Sequence, residues 1–214
     1  MKQAAGKEAP TPDSEWYEGP TRVFFHDILT FNQEYTAAIQ ALGTSSMGKL
    51  YTPESYATRA DMQTTISHLR ALLDVDKKYE SLDPVVKKLE VNINATSASE
   101  FEKQELLKGF RSNFNKTSAP RGETFRAEEE WLQSSIDLYE FTLAHSGDFR
   151  IQDKKLIFHE TGSRDQFQAL QSKAIALRKA TVDAKHKLDA ARQDAMSQSG
   201  ITPADISSPA PKDK

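Results

Sequence analysis

The chain has 214 residues, of which 37% are hydrophobic and 28% charged, and this balance permits one sizeable core or a core with long helical arms. Its formal net charge of −3 gives no global basic field, which disfavours nucleic-acid binding as a main role. The absence of cysteine excludes disulfides, thiolate metal sites and cysteine nucleophiles.

The N-terminal residues 1–18 are mostly small and polar, and they predict a flexible tail. Trp16 and Tyr17 are expected to fold back onto the helices as an apolar staple rather than to contact a partner. No apolar run approaches the roughly 18 residues of a membrane span, and the start of the chain lacks the hydrophobic region of a signal peptide. Two localisations stay open: the cytoplasm, or the cell envelope as a periplasmic protein or lipoprotein whose leader was removed.

The first predicted helix begins at about Pro20, because proline is favoured at the first helical position, and ends at Gly43. Its apolar residues alternate steps of four and three, as in a coiled-coil seam. These residues are Phe24, Ile28, Phe31, Tyr35, Ala38 and Leu42.

The second predicted helix begins with Thr52 as its N-cap and Pro53 as its first residue. Its stripe starts at Met62, Ile66, Leu69 and Leu73, then shifts by one position to Leu72, Val75, Tyr79, Leu82, Val86, Leu89 and Ile93. Pro84 should break or kink this helix, with Asp83 available as a cap. Because the three-four rhythm passes through Pro84 in phase, we expect one kinked, roughly collinear helix and no reversal.

The next stretch contains a capping-box pattern, Ser97 with Glu100, followed by a short stripe of Phe101, Leu107, Phe110 and Phe114. Residues 115–122, which include Pro120, predict a turn. A further helix then carries Phe125, Leu132, Ile136, Tyr139 and Leu143, and stops near residues 146–147. The path of residues 94–122 stays undetermined by the sequence.

A β-hairpin is predicted over about residues 148–159. If Asp153 and Lys154 form a two-residue turn, Ile151 pairs with Leu156 and Phe149 pairs with Phe158. This ribbon would let the helices on either side run antiparallel.

The last predicted helix covers residues 163–200, with Ser163 and Gln166 as a capping box and Gly200 as the stop. Its stripe is formed by Phe167, Leu170, Ala174, Leu177, Thr181, Ala184, Leu188, Ala191 and Ala195. Residues 123–140 are acidic and residues 173–192 are basic, which favours the two helices lying side by side. The proline-containing residues 201–214 predict a disordered tail.

No catalytic, cofactor-binding or metal-binding residue is predicted from the sequence. Asp183 with His186 is a single weak analogue of a di-iron motif, and we interpret it as a solvated pair. His145 and His159 bracket the hairpin and are interpreted as exposed element ends, as the run of residues 128–130 is interpreted as a solvated acidic face. No phosphate loop, dinucleotide fingerprint, nucleophile elbow or calcium loop is present.

The sequence therefore predicts a mainly α protein: an elongated antiparallel bundle of four to five long helices with one β-hairpin between the last two. Residues 19–200 are expected to form a single domain between two tails. The expected function is non-enzymatic, structural or protein-interacting, with self-association or a protein partner, no nucleic acid and no transmembrane segment. The alternative is a small-ligand-binding or enzymatic bundle with an inter-helix pocket, whose polar groups would come from Tyr35, Tyr79, Tyr139 and His68.

Overall fold

The computed structural model describes residues 19–42 and 47–198 and confirms a mainly α fold with one hairpin. The helices are α1 (Gly19–Ala41), α2 (Arg59–Tyr79), α3 (Asp83–Asn94), α4 (Glu100–Ala144) and α5 (Thr161–Gln198). The strands β1 (Phe149–Gln152) and β2 (Lys155–Phe158) lie between the last two helices. Short 3-10 helices cover Met47–Lys49 and Pro53–Tyr56.

The described chain forms two compact units. The terminal unit contains residues 19–34, 81–121 and 186–198, and the hairpin unit contains residues 35–42, 47–80 and 122–185. The prediction of a single domain over residues 19–200 stays a prediction.

The hairpin has the predicted register. Phe149 lies opposite Phe158 and Ile151 opposite Leu156. Asp153 and Lys154 have φ angles of 51° and 58°, so both turn residues are in the left-handed region that a two-residue turn of type I′ requires. The rings of Phe149 and Phe158 lie 5.4 Å apart between centroids, and Phe158 also contacts Phe167 of α5.

The core of the hairpin unit is built from one face each of α2, α4 and α5. The residues that are almost fully buried in it include Leu69 of α2, Leu132 of α4 and Ala174 of α5. Each belongs to a set of buried residues spaced three or four apart along its own helix. Within this unit α4 and α5 run antiparallel: the Thr124 hydroxyl donates to the Ala184 carbonyl over 3.2 Å, and the Thr181 hydroxyl donates to the Ala127 carbonyl over 3.0 Å. The predicted side-by-side packing of the acidic and basic helices is confirmed for this part of the chain.

The terminal unit has a smaller core of Leu89, Ile93 and Leu107. The carboxylate of Asp27 is buried beside it and is fully partnered. Lys88 Nζ lies 3.2 Å from Asp27 Oδ1, and the Asn92 amide donates to Oδ2 over 2.7 Å. Such pairing offsets the desolvation of a buried charge.

The predicted start of the second long helix is wrong. Thr52 and Pro53 open only the short 3-10 helix, and Thr58 is the N-cap of α2. The Asp61 N–H donates to the Thr58 hydroxyl oxygen over 3.0 Å, which satisfies one of the free donors at the helix start.

The continuous helix predicted through Pro84 does not form; that its two parts are roughly collinear, with no reversal, stays a prediction. The α2 helix ends at Tyr79, residues 80–82 are not helical, and α3 begins at Asp83 with Pro84 in its first turn. Asp83 is therefore not the cap; Leu82 occupies that position without a side-chain bond. Proline is favoured at a helix start and disfavoured inside one. The chain therefore starts a new helix here, although the spacing of its apolar residues continues.

The capping box before α4 lies two residues beyond the predicted one. Ser99 and Glu102, instead of Ser97 and Glu100, bond each other's backbone: the Ser99 N–H donates to Glu102 Oε2 over 3.0 Å and the Glu102 N–H donates to Ser99 Oγ over 3.3 Å.

The predicted turn at Pro120 does not form, because α4 is continuous through this position and has 45 residues in all. An internal proline costs about 3 kcal/mol through one lost hydrogen bond and one steric clash. The packing of Leu107 in the terminal unit and of Leu132 in the hairpin unit holds the helix on both sides of that position.

The last helix begins at Thr161, two residues before the predicted cap. Ser163 is consequently buried in its first turn and is not an N-cap. The predicted stripe is confirmed, with Phe167, Ala174, Thr181, Ala184, Leu188 and Ala195 all buried. Trp16, Tyr17, Gly43, Gly200 and the predicted tails lie outside the described residues.

Candidate functional site: a cavity around a buried aspartate

The hairpin unit contains a cavity of about 510 Å³, which lies within the size range of small-molecule sites. Five segments line it: the end of α1, the 3-10 helix at Met47, and faces of α2, α4 and α5. We call it the acid cavity. Its lining residues are Tyr35, Thr36, Ile39, Gln40, Met47, Leu72, Asp76, Glu128, Trp131, Leu132 and Lys185.

Asp76 occupies a position on α2 where the helical pattern calls for an apolar side chain. The buried face of α2 runs through Met62, Ile66, Leu69 and Leu73, and three residues later reaches Asp76. The predicted stripe moves by one position at this point, from Leu73 to Leu72, and leaves out Asp76, which belongs to a residue type that is rarely fully buried. A carboxylate in phase with a buried stripe was the available signal for this site.

The Asp76 side chain lies almost entirely out of water, with 2% of its surface exposed. Its side-chain contact is a long one, from the Tyr35 hydroxyl to Oδ1 over 3.5 Å, near the limit of a hydrogen bond. No lysine, arginine or histidine among the described residues lies within ion-pair distance of it. In this respect Asp76 differs from Asp27, the partnered aspartate of the terminal unit.

Burial raises the pKa of Asp76 to about 7, because the charged carboxylate loses its hydration. The Glu128 carboxylate raises this pKa further, and the nearby Lys185 ammonium opposes the rise. Glu129 adds a smaller increase, and the Tyr35 hydroxyl a smaller decrease. Asp76 therefore exchanges its proton near neutral pH.

The α4 and α5 walls of the cavity meet in an ion pair. Lys185 Nζ lies 2.9 Å from Glu128 Oε1, so the ammonium already has a carboxylate partner. The next residue, Glu129, also has a raised pKa, chiefly through burial and then through the carboxylate of Glu80, with Lys77 opposing. This side of the hairpin unit thus has an excess of acidic groups.

The aromatic wall at Trp131 is held by a hydrogen-bond network. The indole Nε1–H donates to the Tyr51 hydroxyl over 2.7 Å, and that hydroxyl lies 2.5 Å from Ser135 Oγ. The Tyr51 N–H donates to the Tyr139 hydroxyl over 3.1 Å, and Tyr51 has a left-handed φ of 65°. An uncommon backbone conformation is sustained here by several bonds, and it sets the position of one cavity wall.

The polar residues nominated from the sequence have different positions. Tyr35 lines the cavity, and the Tyr79 ring packs against it with centroids 5.3 Å apart. Tyr139 is buried and its hydroxyl lies 2.7 Å from Ser55 Oγ, so it belongs to the core network. His68 is half-buried on α2 and is not among the lining residues.

The other candidate groups are not brought into one site. His145 Nδ1 lies 2.8 Å from the Phe141 carbonyl oxygen, and its ring stacks on Phe141, while His159 is exposed. Asp183 and His186 are both exposed on α5. Over residues 19–42 and 47–198, no group of three or more histidines or acids is arranged to hold a metal ion.

A second cleft of about 610 Å³ borders strand β1 and the start of α2. Arg59 lines it, but this guanidinium donates to the Leu143 carbonyl oxygen over 3.2 Å and also bonds Ser146. Tyr56 also lines this cleft, and its buried hydroxyl has no hydrogen-bond partner among the described residues, but the lining contains no carboxyl group of the kind that marks the acid cavity.

The acid cavity can accept a proton and can bind a group that balances a carboxylate. Its described lining contains no histidine, serine or cysteine. None of the described helices is long and apolar enough to cross a membrane. The chain matches none of the family models, curated proteins or solved structures with which it was compared.

Proposed function

We propose that this chain is a non-enzymatic binding protein that holds a small molecule in the acid cavity. The observation that supports this most is Asp76, a carboxyl group with 2% of its surface exposed that borders a cavity and has no cationic partner among the described residues. Burying such a group destabilises a protein unless something compensates for it. Proteins retain that kind of strain at functional sites more often than elsewhere.

We describe the function as non-enzymatic because the described lining contains no serine, histidine or cysteine, and its one amine, that of Lys185, is held in an ion pair with Glu128. The apolar and aromatic part of the wall comes from Ile39, Met47, Leu72, Leu132 and Trp131, and the other polar groups of the lining belong to Tyr35, Thr36, Gln40, Glu128 and Lys185. A few polar groups in a mostly apolar concave surface are typical of a ligand site.

The test uses a variant that fills the cavity and a matched variant that does not. Thr36 lines the cavity and is exposed at its α1 wall, so Thr36→Trp places an indole there with little effect on the core. Ala37 is exposed on the same helix and does not line the cavity, so Ala37→Trp is the control.

Saturation-transfer NMR with a mixture of small amines, acids and alcohols then reports binding to the full chain. We expect at least one compound to bind the wild type and Ala37→Trp, and to lose its signal with Thr36→Trp. Equal binding to all three proteins, or binding to none, contradicts the proposal.

A second candidate function is protein interaction through the outer face of α5. Ile175 and Val182 are seven residues apart and have 50% and 46% of their surface exposed, so they lie on one side of the helix. Exposed apolar residues at this spacing are typical of helix–helix association. Sedimentation velocity of wild type and the double variant Ile175→Lys, Val182→Lys tests it: a wild type that stays monomeric and retains no partner in cross-linking rejects this role.

A further inference from the structure

We propose that the acid cavity selects organic cations, and specifically amines that carry an apolar or aromatic body. This inference rests on the proposed function, since it names the chemical class of the ligand. Three features of the cavity carry it: the Asp76 carboxylate, which has no cationic partner among the described residues, the Lys185 ammonium, which is already paired with Glu128, and the aromatic residues of the wall.

The carboxylate of Asp76 is the strongest selecting feature. Its one side-chain contact is the Tyr35 hydroxyl at 3.5 Å, which leaves most of its acceptor capacity unused. A ligand ammonium beside it would form a charge-assisted hydrogen bond in a place with little water, where such bonds are strongest. A neutral ligand could supply a hydrogen bond but no charge.

Lys185 does not make the cavity suitable for an anion. Its ammonium lies 2.9 Å from Glu128, so an anionic ligand would have to displace that carboxylate. Such a ligand would also approach Asp76, and like charges at close range are unfavourable. With Asp76 ionised, two carboxylates and one ammonium face the cavity.

The walls suit the rest of an amine ligand. Tyr35 and Trp131 are the aromatic residues of the lining, and aromatic rings attract cations; the Arg178 guanidinium already lies 5.9 Å from the Trp131 ring centroid. Ile39, Leu72 and Leu132 provide apolar surface for a hydrocarbon body.

Binding of a cation should be linked to proton release. The groups that face Asp76 are Tyr35 from α1, Glu128 and Glu129 from α4, and Lys185 from α5. Because burial raises the pKa of Asp76 to about 7, a cation must compete with a proton below that pH. Its affinity should rise as the pH increases through about 7 and then level off.

Isothermal titration calorimetry with three probes of similar shape tests the inference. The probes are 2-phenylethylamine, which is a cation at neutral pH, neutral 2-phenylethanol and anionic 3-phenylpropionate. We expect the wild type to bind the amine at least about tenfold more tightly than the alcohol, a difference of about 1.4 kcal/mol, and to bind the anion most weakly.

Two aspartate variants complete the design. Asp76→Asn should reduce the preference for the amine over the alcohol to about twofold or less, whereas Asp74→Asn, at an exposed position two residues earlier on α2, should keep it. If Asp76→Asn does not fold, the pH dependence of binding to the wild type is the deciding measurement. The preference of the wild type for the amine must then fall at least several-fold when the pH is lowered well below 7.

The outcomes separate the two proposals. Binding of the alcohol without preference for the amine, or preferred binding of the anion, overturns the cation inference and leaves the binding function standing. Binding of none of the three, together with a negative fragment mixture, overturns both.

Discussion

Replacing Asp76 with asparagine removes an ionisable group from the acid cavity and keeps the shape of the side chain. Burial raises the pKa of this group from 3.8 to about 7, so the folded protein holds the proton more tightly than the unfolded chain does. The stability contribution of Asp76 is therefore fully present below about pH 4, is lost as the pH rises towards 7, and stays lost above it.

The magnitude of this change in the free energy of unfolding follows from the pKa shift of Asp76. Each pKa unit corresponds to 1.36 kcal/mol, so a rise from 3.8 to about 7 corresponds to at most about 4 kcal/mol. Asparagine does not titrate. Relative to the wild type, Asp76→Asn should therefore gain up to about 4 kcal/mol in free energy of unfolding between acidic and slightly alkaline pH.

Urea unfolding followed by circular dichroism, at several pH values on both sides of neutrality, measures this difference. Asp74→Asn, at an exposed site on the same helix, should give a curve parallel to that of the wild type. Parallel curves for Asp76→Asn and wild type would refute the reasoning, as would a wild type that gains stability relative to the variant with rising pH. The second result would mean that the protein stabilises the Asp76 anion.

Four further changes should alter the free energy of unfolding, each measured by urea unfolding against wild type. Thr58→Ala removes the cap of α2, which is worth about 1 kcal/mol, and an unchanged midpoint would contradict the capping role. Tyr139→Phe takes the acceptor from the partly buried Tyr51 N–H and should cost about 1–3 kcal/mol; a neutral effect would refute the network. Lys154→Gly relieves a left-handed backbone and should stabilise the hairpin by roughly 0.5–1 kcal/mol, whereas destabilisation would exclude that turn. Pro120→Ala restores a hydrogen bond within α4 and should stabilise by up to about 3 kcal/mol, a gain that a turn at this position would not give.

The hairpin and the last helix could be predicted because their signals are local. Alternating apolar residues set the register of Phe149 with Phe158, and the spacing of three and four set the buried face of α5. The weak turn pair at Asp153 and Lys154 was sufficient because the strand pattern left no other two-residue turn that matched it.

The errors fall where a local signal competes with packing further along the chain. Pro84 stands in the first turn of a new helix, whereas Pro120 lies inside a continuous one. Buried residues lie on both sides of each proline, Tyr79 and Leu89 around Pro84 and Leu107 and Leu132 around Pro120, so local sequence signals do not separate the two cases.

The sequence alone could not predict the acid cavity, because the cavity forms only when distant segments pack together. Its walls come from five segments, and residues as distant as Tyr35 and Lys185 meet only in the folded chain. The sequence predicts Tyr35 as a polar group of an inter-helix pocket, whereas the predicted stripe of the second helix leaves out Asp76. A carboxylate that keeps phase with buried leucines is the pattern to notice in other helices.

Chemical-shift mapping tests most directly whether the acid cavity binds an organic cation. A 15N-labelled sample of the full chain is titrated with 2-phenylethylamine. We expect the largest chemical-shift changes at the backbone amides of Thr36, Leu72 and Asp76 and at the indole N–H of Trp131, since these residues line the cavity. Shifts concentrated at the exposed Ile151 and Ile157 of the hairpin, or no shifts at all, would contradict it.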